Sequence, residues 1–136
     1  MLLILGLMLN ASEKEYAAEI VKNLVEVIDK SNTSVWIDHD DSDLMESLEL
    51  KQLNVVKTCK NAKVLILSSE KSIPKHCISK PILVLDYDLL AKHSNAVSAF
   101  FWKKGRPNIV FIKKRLQYFS ISLPPTYEKY VEEQIW

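Results

Sequence analysis

The stretches Cys59-Lys-Asn-Ala-Lys-Val-Leu-Ile-Leu67 and Cys77-Ile-Ser-Lys-Pro-Ile-Leu-Val-Leu85 decide the fold. In each, a cysteine stands four residues before a short, mainly apolar run, Lys63–Leu67 or Pro81–Leu85. Polar residues flank both runs. Such runs predict buried strands. If the two strands are parallel neighbours, about 4.8 Å apart, both thiols emerge at the same edge of the sheet. That separation suits a disulfide between Cys59 and Cys77, with a pair of reduced structural thiols as the alternative.

The start of the chain agrees with the oxidising compartment that a disulfide requires. Met1–Leu9 is apolar throughout, but nine residues are far fewer than the ~20 that span a bilayer. We interpret residues 1–11 as a secretory signal, with Ala11 as the small residue at the cleavage site, although no basic residue precedes the apolar run. The alternative is a buried first strand. A signal predicts a periplasmic or secreted protein.

Length and composition set limits on what the rest of the chain can be. Residues 12–136 suffice for a single domain with its own core. With only two glycines, Gly6 and Gly105, no glycine-rich phosphate loop can form, and no cofactor is expected. The formal net charge of +1 disfavours bulk nucleic-acid binding.

Secondary-structure patterns predict an α/β fold. Ser12 and Glu15 have the spacing of a capping box and open an amphipathic helix over 13–30. Short strands and helices then alternate as far as a β-hairpin over 97–112, with its turn at 104–107, and Pro125 begins a final helix. These elements predict a three-layer single domain with a mixed, mainly parallel sheet, a C-terminal β-hairpin and terminal helices.

An acidic run follows the first predicted strand of the sheet. Loops at the carboxyl ends of strands are where ligand sites of α/β proteins lie, and carboxylates suit Mg²⁺ or Ca²⁺. The metal-ligand candidates are Asp38, Asp40, Asp41 and Asp43. Because acidic residues also favour the first turn of a helix, the simpler interpretation is a helix start, and no metal is assigned.

A receiver-like domain is a related alternative, since it too is a small α/β domain with acidic strand ends. Asp86 or Asp88 would then be the phosphoacceptor and Lys103 the lysine. The long first helix and the hairpin depart from that pattern.

The cysteines and histidines have soft-metal chemistry in principle. The spacing of Cys59, His76, Cys77 and His93 matches no zinc module, and adjacent His76 and Cys77 are not expected to converge on one ion. Nothing in the sequence marks either cysteine as an activated nucleophile.

A basic segment without acidic residues accompanies the hairpin. Together with the terminal Trp136, it is a candidate surface for a protein partner, whose basic members are Lys103, Lys104, Arg106, Lys113, Lys114 and Arg115. The neighbouring aromatic residues are expected to be mainly core.

The layout from about residue 13 to 131 resembles the YfiR-like family of small bacterial periplasmic proteins. The similarity rests on the cysteine ahead of a central apolar strand in Thr58–Leu67, and on the return strand Asn108–Leu116 followed by a terminal helix. Ser94–Ser98 stands where the family has a glycine-rich segment. The resemblance implies a non-catalytic regulator that holds a membrane-bound diguanylate cyclase inactive by binding its periplasmic part.

These observations favour a periplasmic or secreted binding protein that acts through protein–protein interaction and has no enzyme activity. One alternative is a cytoplasmic α/β enzyme or receiver-like domain that uses Asp38, Asp40 and Asp86. The other is one lobe of a periplasmic solute-binding fold, which would bind a small molecule in a pocket.

Overall fold

Short strands and helices alternate along the chain in the computed structural model, which describes residues 2–31, 34–38, 42–69 and 73–135. The strands are β1 (Ser34–Ile37), β2 (Asn54–Val55), β3 (Val64–Leu67), β4 (Ile82–Val84), β5 (Ala96–Lys103), β6 (Arg106–Ile112) and β7 (Val131–Glu132). The helices are α1 (Leu2–Ile28), α2 (Ser42–Leu50), α3 (Leu89–Lys92) and α4 (Lys113–Tyr118). Short 3₁₀ helices cover Cys59–Asn61, Lys75–Cys77 and Pro125–Tyr130.

The strands form one seven-stranded sheet in the order β2-β1-β3-β4-β5-β6-β7. Neighbouring strands are parallel except β5 and β6, which are antiparallel. In the β3–β4 pair, Ile66 lies opposite Leu83. The predicted parallel neighbours are therefore confirmed, as is a mixed, mainly parallel sheet.

Both faces of the sheet are covered, which makes three layers. Val64 and Ile66 of β3 pack on one face with Leu24 of α1 and Leu48 of α2. The other face packs under the first two 3₁₀ helices and α3, through side chains such as Leu90. Because consecutive side chains of a strand point to opposite faces, an apolar run without alternation requires cover on both sides.

Helix α1 extends further towards the N-terminus than the sequence pattern predicted. It is continuous from Leu2 to Ile28, so the predicted helix start at Ser12 is wrong, and so is the alternative of a first strand. Leucine and methionine favour helix, and nothing in the leader is strong enough to break it. At the other end Asp29 accepts hydrogen bonds from the backbone and hydroxyl of Ser31, which turns the chain out of the helix. Within the described residues, no helix combines the length and apolarity needed to cross a membrane.

The predicted hairpin is confirmed, with a tighter turn than expected. Lys104 and Gly105 both have positive φ, 53° and 73°, and form a two-residue turn. Positive φ at both central positions gives a twist that matches the flanking strands. Arg106 and Pro107, predicted to be in the turn, instead pair with Lys103 and Trp102 as the first residues of β6.

The C-terminal segment differs from the predicted final helix. Pro125 does begin a helix, but it is a 3₁₀ helix that ends at Tyr130. Tyr127 and Tyr130 pack against the core as their spacing predicted, whereas Val131 starts β7 and pairs with Phe111 of β6. Proline at the first position favours a helix start, and the pairing with β6 then draws the chain into extended structure.

Candidate functional site

The sheet has two ends, and the predicted site residues divide between them. We call the end where β1, β3, β4 and β5 finish the carboxyl edge, and the end where they start the amino edge. Because β6 is antiparallel to β5, the chain returns along β6 to the amino edge, where α4 begins. The hairpin turn therefore lies at the carboxyl edge.

The disulfide lies at the amino edge. Cys59 and Cys77 are bonded, with 6.0 Å between their Cα atoms, and each belongs to a 3₁₀ helix that precedes its strand. Both residues are almost fully buried. The imidazole of His76 is exposed, and its Nε2 lies 3.9 Å from Sγ of Cys59. The predicted pairing follows from two parallel strands with a cysteine at the same distance ahead of each.

A lysine fastens the backbone beside the disulfide. Lys80 donates hydrogen bonds to the carbonyls of Cys59, Lys60 and Ala62, at 2.7 Å for the first two. These carbonyls lie at the end of a 3₁₀ helix, where few backbone donors are available, so an ammonium group is a suitable donor. The charge of Lys80 is thus used inside the fold.

Asp38 joins two strand ends at the carboxyl edge. Its carboxylate accepts four hydrogen bonds, from the backbone and hydroxyl of both Ser68 and Ser69, at 2.9–3.2 Å. These serines follow β3, the neighbour of β1. Both carboxylate oxygens are occupied, so Asp38 acts as a clamp between strands, and its use as a metal ligand would require those bonds to break.

Of the other metal-ligand candidates, the structure describes Asp43, which is bonded elsewhere. Asp43 stands in the first turn of α2, as the helix-start interpretation predicted. It also pairs with Lys14 of α1 at 3.1 Å. Asp40 and Asp41 lie outside the described residues. Asp86, which the receiver-like alternative requires, follows β4 and accepts a hydrogen bond from the backbone of Asp88.

The basic segment is divided between opposite ends of the sheet. Lys103, Lys104 and Arg106 are exposed at the hairpin turn on the carboxyl edge, and we call them the hairpin cations. The members in α4 lie at the amino edge, about 20 Å away along β6. There Lys113 pairs with Glu133 at 3.2 Å and Lys114 is exposed. Trp136 lies outside the described residues.

Arg115 is not available to a partner. Its guanidinium donates to the carbonyls of Leu90, His93 and Ala96, at 2.8–3.1 Å. Burial lowers the pKa of this guanidinium from its ordinary value, a cost that the hydrogen bonds offset. Arg115 therefore links the end of α3 to the start of β5. It is not part of the surface that the remaining basic residues offer to a partner.

A cleft beside the hairpin was not anticipated from the sequence. It has a volume of about 290 Å³ and lies between α1, α2 and the ends of β4 and β5. Its wall includes Val21, Leu85 and Phe100, with Trp102 and the Lys14–Asp43 pair also lining it. Trp102 is 42% exposed and meets Phe100 edge-on at 5.9 Å between ring centroids.

The alternation of β5 contained the signal for this cleft. Phe100 and Trp102 share a face of the strand, but only Phe100 is buried. Alternation along the strand shows which face a side chain occupies. The position of α1 and α2 determines how much of that face is buried. That position depends on tertiary packing, so the expectation that the aromatic residues near the hairpin are mainly core does not hold for Trp102.

Comparison with known proteins leaves the geometry to carry the functional argument. No protein-family model matches this chain, and no curated protein matches it.

Reducing the disulfide should lower the stability of the domain by about 3 kcal/mol, because the closed loop restricts the unfolded chain. Urea denaturation of the wild type with and without reductant measures the difference. The double variant Cys59→Ser/Cys77→Ser is the control, and reductant should leave its midpoint unchanged. An unchanged wild-type midpoint would contradict the prediction.

The protein should lose stability as the pH falls from about 7 to about 5, in part through His93. Burial lowers the pKa of His93 below its ordinary value of 6.5, and its Nε2 is buried without a hydrogen-bond partner among the described residues. In that range the unfolded chain binds the proton and the folded chain does not, so protonation favours unfolding. Urea midpoints across the range should fall less steeply for His93→Gln than for the wild type. Parallel curves would show that His93 contributes nothing.

Proposed function

We propose that this chain is an exported, non-catalytic binding protein that regulates a partner protein through its carboxyl edge. The observation that carries the proposal is the concentration there of exposed charge and exposed aromatic surface on one rigid hairpin. The hairpin cations lie next to Trp102, which borders the apolar cleft.

The side chains at this edge are arranged for contact with another protein. Buried interfaces commonly combine an aromatic anchor with a surrounding polar rim, and tryptophan and arginine are the residues most enriched at their centres. Trp102 supplies the anchor. Arg106, the first residue after the turn, lies opposite Lys103 on the other face of the hairpin tip, and the two supply part of the rim. The two-residue turn presents them on paired strands, so little ordering is required on binding.

The charge of this surface indicates the chemistry of the partner. Lys103, Lys104 and Arg106 are exposed together at the turn. Of the acidic residues at this edge, Asp38 and Asp43 are engaged in bonds of the fold, and the exposed Asp86 and Asp88 follow β4 rather than the hairpin. A partner that bears acidic side chains and an apolar residue able to enter the cleft would be complementary.

Two observations support export. The Cys59–Cys77 disulfide is suited to an oxidising compartment, and the apolar leader has the length of a signal core. Cleavage after Ala11 would leave Ser12 and Glu15 at the start of α1, where a capping box stabilises a helix end. The capping-box spacing would then act in the mature chain.

The layout shared with YfiR-like proteins supports a more specific form of the proposal. The partner would be the periplasmic part of a membrane-bound signalling enzyme, which this chain restrains. The contact would then use side chains of the hairpin rather than strand addition. Both outermost strands, β2 and β7, are two residues long, and Pro107 removes a backbone donor from the part of β6 that β7 leaves uncovered.

The cleft supports a second candidate function, the binding of a small apolar ligand. Its volume of about 290 Å³ is close to the lower end of the range for ligand pockets, about 300–1,000 Å³. An occupied cleft would change the environment of Trp102, so ligand and partner would compete for this surface. The enzyme alternative has less support, since the carboxylate of Asp38 is fully engaged.

Export predicts the mass of the protein made in its native host. The intact mass should lack residues 1–11 and should be lighter than its reduced form by two hydrogen atoms, one from each cysteine. Mass spectrometry with and without reductant gives both results on one sample. A mass that retains the leader with both thiols free would contradict export.

Partner binding at the carboxyl edge predicts a position-dependent crosslink. A photoreactive amino acid in place of Trp102 should attach the chain to a membrane protein in the native host. The matched control is Tyr118, an aromatic residue 76% exposed in α4 at the amino edge. Lys103→Glu combined with Lys104→Glu should weaken the Trp102 adduct at least tenfold, because both attractive charges are reversed. Equal adducts at Trp102 and Tyr118, or none in the membrane fraction at Trp102, would contradict the proposal.

A further inference from the structure

The disulfide belongs to a cluster of three side chains with metal-ligand chemistry. Sγ of Cys59, Sγ of Cys77 and a ring nitrogen of His76 all lie within 4.8 Å of one another. The sequence-based expectation that adjacent His76 and Cys77 would not converge is therefore wrong. The 3₁₀ helix Lys75–Cys77 turns tightly enough to bring both side chains towards Cys59. Within the part of the chain that the structure describes, no other group of three such residues converges in this way.

We propose that the reduced form of this chain binds a single Zn²⁺ ion through Cys59, Cys77 and His76. Two thiolates and an imidazole are a donor set that zinc favours, and a water molecule would complete four-coordination. The exposed imidazole gives the ion a route from solvent to two sulfurs that are otherwise buried. The proposal concerns the disulfide end of the sheet and is independent of the partner surface at the carboxyl edge.

The distances are close to those a zinc ion requires. Bonds of about 2.3 Å to sulfur and about 2.0 Å to nitrogen at tetrahedral angles place two sulfurs about 3.8 Å apart and sulfur about 3.5 Å from nitrogen. Nε2 of His76 already lies 3.9 Å from Sγ of Cys59. Reduction lets the two sulfurs separate to van der Waals contact, and the 6.0 Å between the Cα atoms allows this by side-chain rotation alone.

The backbone that carries the ligands is held by bonds other than the disulfide. Around Cys59, Lys80 donates to the carbonyl of that residue, and the buried hydroxyl of Ser34 donates to the carbonyl of Asn61 at 2.9 Å. Around Cys77, the backbone amide donates to the carbonyl of Pro74 at 2.9 Å. Parallel pairing of β3 with β4 fixes the two segments side by side. The ligand geometry should therefore persist when the sulfur–sulfur bond is broken.

The chemistry balances with a dithiol as reductant. Two electrons and two protons pass from the dithiol to the disulfide, which yields two thiols here and a disulfide in the reductant. Zinc then displaces the two thiol protons and binds the thiolates together with neutral imidazole. A disulfide that accepts two electrons and two protons would re-form the Cys59–Cys77 bond and release the ion, while it becomes a dithiol itself. Because the ion and the disulfide use the same two sulfurs, each excludes the other.

Co²⁺ replaces Zn²⁺ as the probe in this test, because tetrahedral Co²⁺ bound to thiolate is coloured. The oxidised protein, which has no free thiol, is the negative control. The full chain is reduced, desalted without oxygen and titrated with Co²⁺, then with Zn²⁺. We expect thiolate-to-cobalt charge-transfer and tetrahedral d–d bands that saturate at a single ion per chain and vanish when zinc is added. The oxidised chain should show none of these bands.

His76→Gln distinguishes a three-ligand site from two accessible thiols. Losing a direct ligand should cost at least as much affinity as losing a supporting residue does elsewhere, about ten- to hundredfold. Lys75→Gln, an exposed change in the same 3₁₀ helix, is the matched control and should bind as the wild type does. Equal affinity in His76→Gln and wild type would overturn the proposal, as would half an ion per chain or no bands.

A stability measurement covers the case in which reduction loosens the fold. Zinc should raise the urea midpoint of the reduced wild type by mass action, leave the oxidised protein unchanged and act more weakly on reduced His76→Gln. A reduced chain whose midpoint or circular dichroism does not respond to zinc would overturn the proposal by this second route.

Discussion

β3 is buried on both of its faces, and this burial determines how the other helices and strands are arranged around it. All four side chains of Val64–Leu67 are fully buried, so neither face of the strand can be left to solvent. One face requires α1 and α2, and the other requires the first two 3₁₀ helices and α3. Each side chain of this kind contributes about 1.5–3 kcal/mol when removed from water, which makes the strand the centre of the core.

The two ends of β3 are secured by different chemistry. At the amino edge, the disulfide and Lys80 tie the segment before β3 to the segment before β4. At the carboxyl edge, Asp38 binds the serines that follow β3 to the end of β1. The covalent and ionic connections thus lie beyond the two ends of the apolar strand. Charge buried within the strand itself would be costly. The surfaces available for function are the parts of each edge that these connections do not occupy.

Those features of the fold that depend on local pattern could be predicted from the sequence. The apolar runs that end at Leu67 and Leu85 identified two central strands. The equal distance from each cysteine to the run that follows it indicated that these strands are parallel neighbours. Alternation in 99–102 assigned the faces of β5. The capping-box spacing at Ser12 predicted the wrong start for α1. A capping box marks a helix start only where the preceding residues do not themselves favour helix.

The candidate sites depended on tertiary structure and were only partly visible in the sequence. Arg115 looked like its neighbour Lys114, yet its charge serves the end of α3. The cleft beside Trp102 lies between α1, α2 and the ends of β4 and β5, so it depends on how these elements pack together. The approach of His76 to Cys59 required both a tight 3₁₀ turn and a strand register, and neither can be read from residue spacing alone.

The hairpin also bears on how the protein behaves at high concentration. Beyond the short pairing of Phe111 and Ile112 with β7, the outer edge of β6 has no neighbouring strand in the described structure. An open edge of this kind invites aggregation by strand addition. Pro107 removes one backbone donor from that edge, and the charge of Arg106 repels an identical copy. Arg106 and Pro107, which follow the hairpin turn, therefore also oppose the addition of further strands to the sheet and its growth into fibrils.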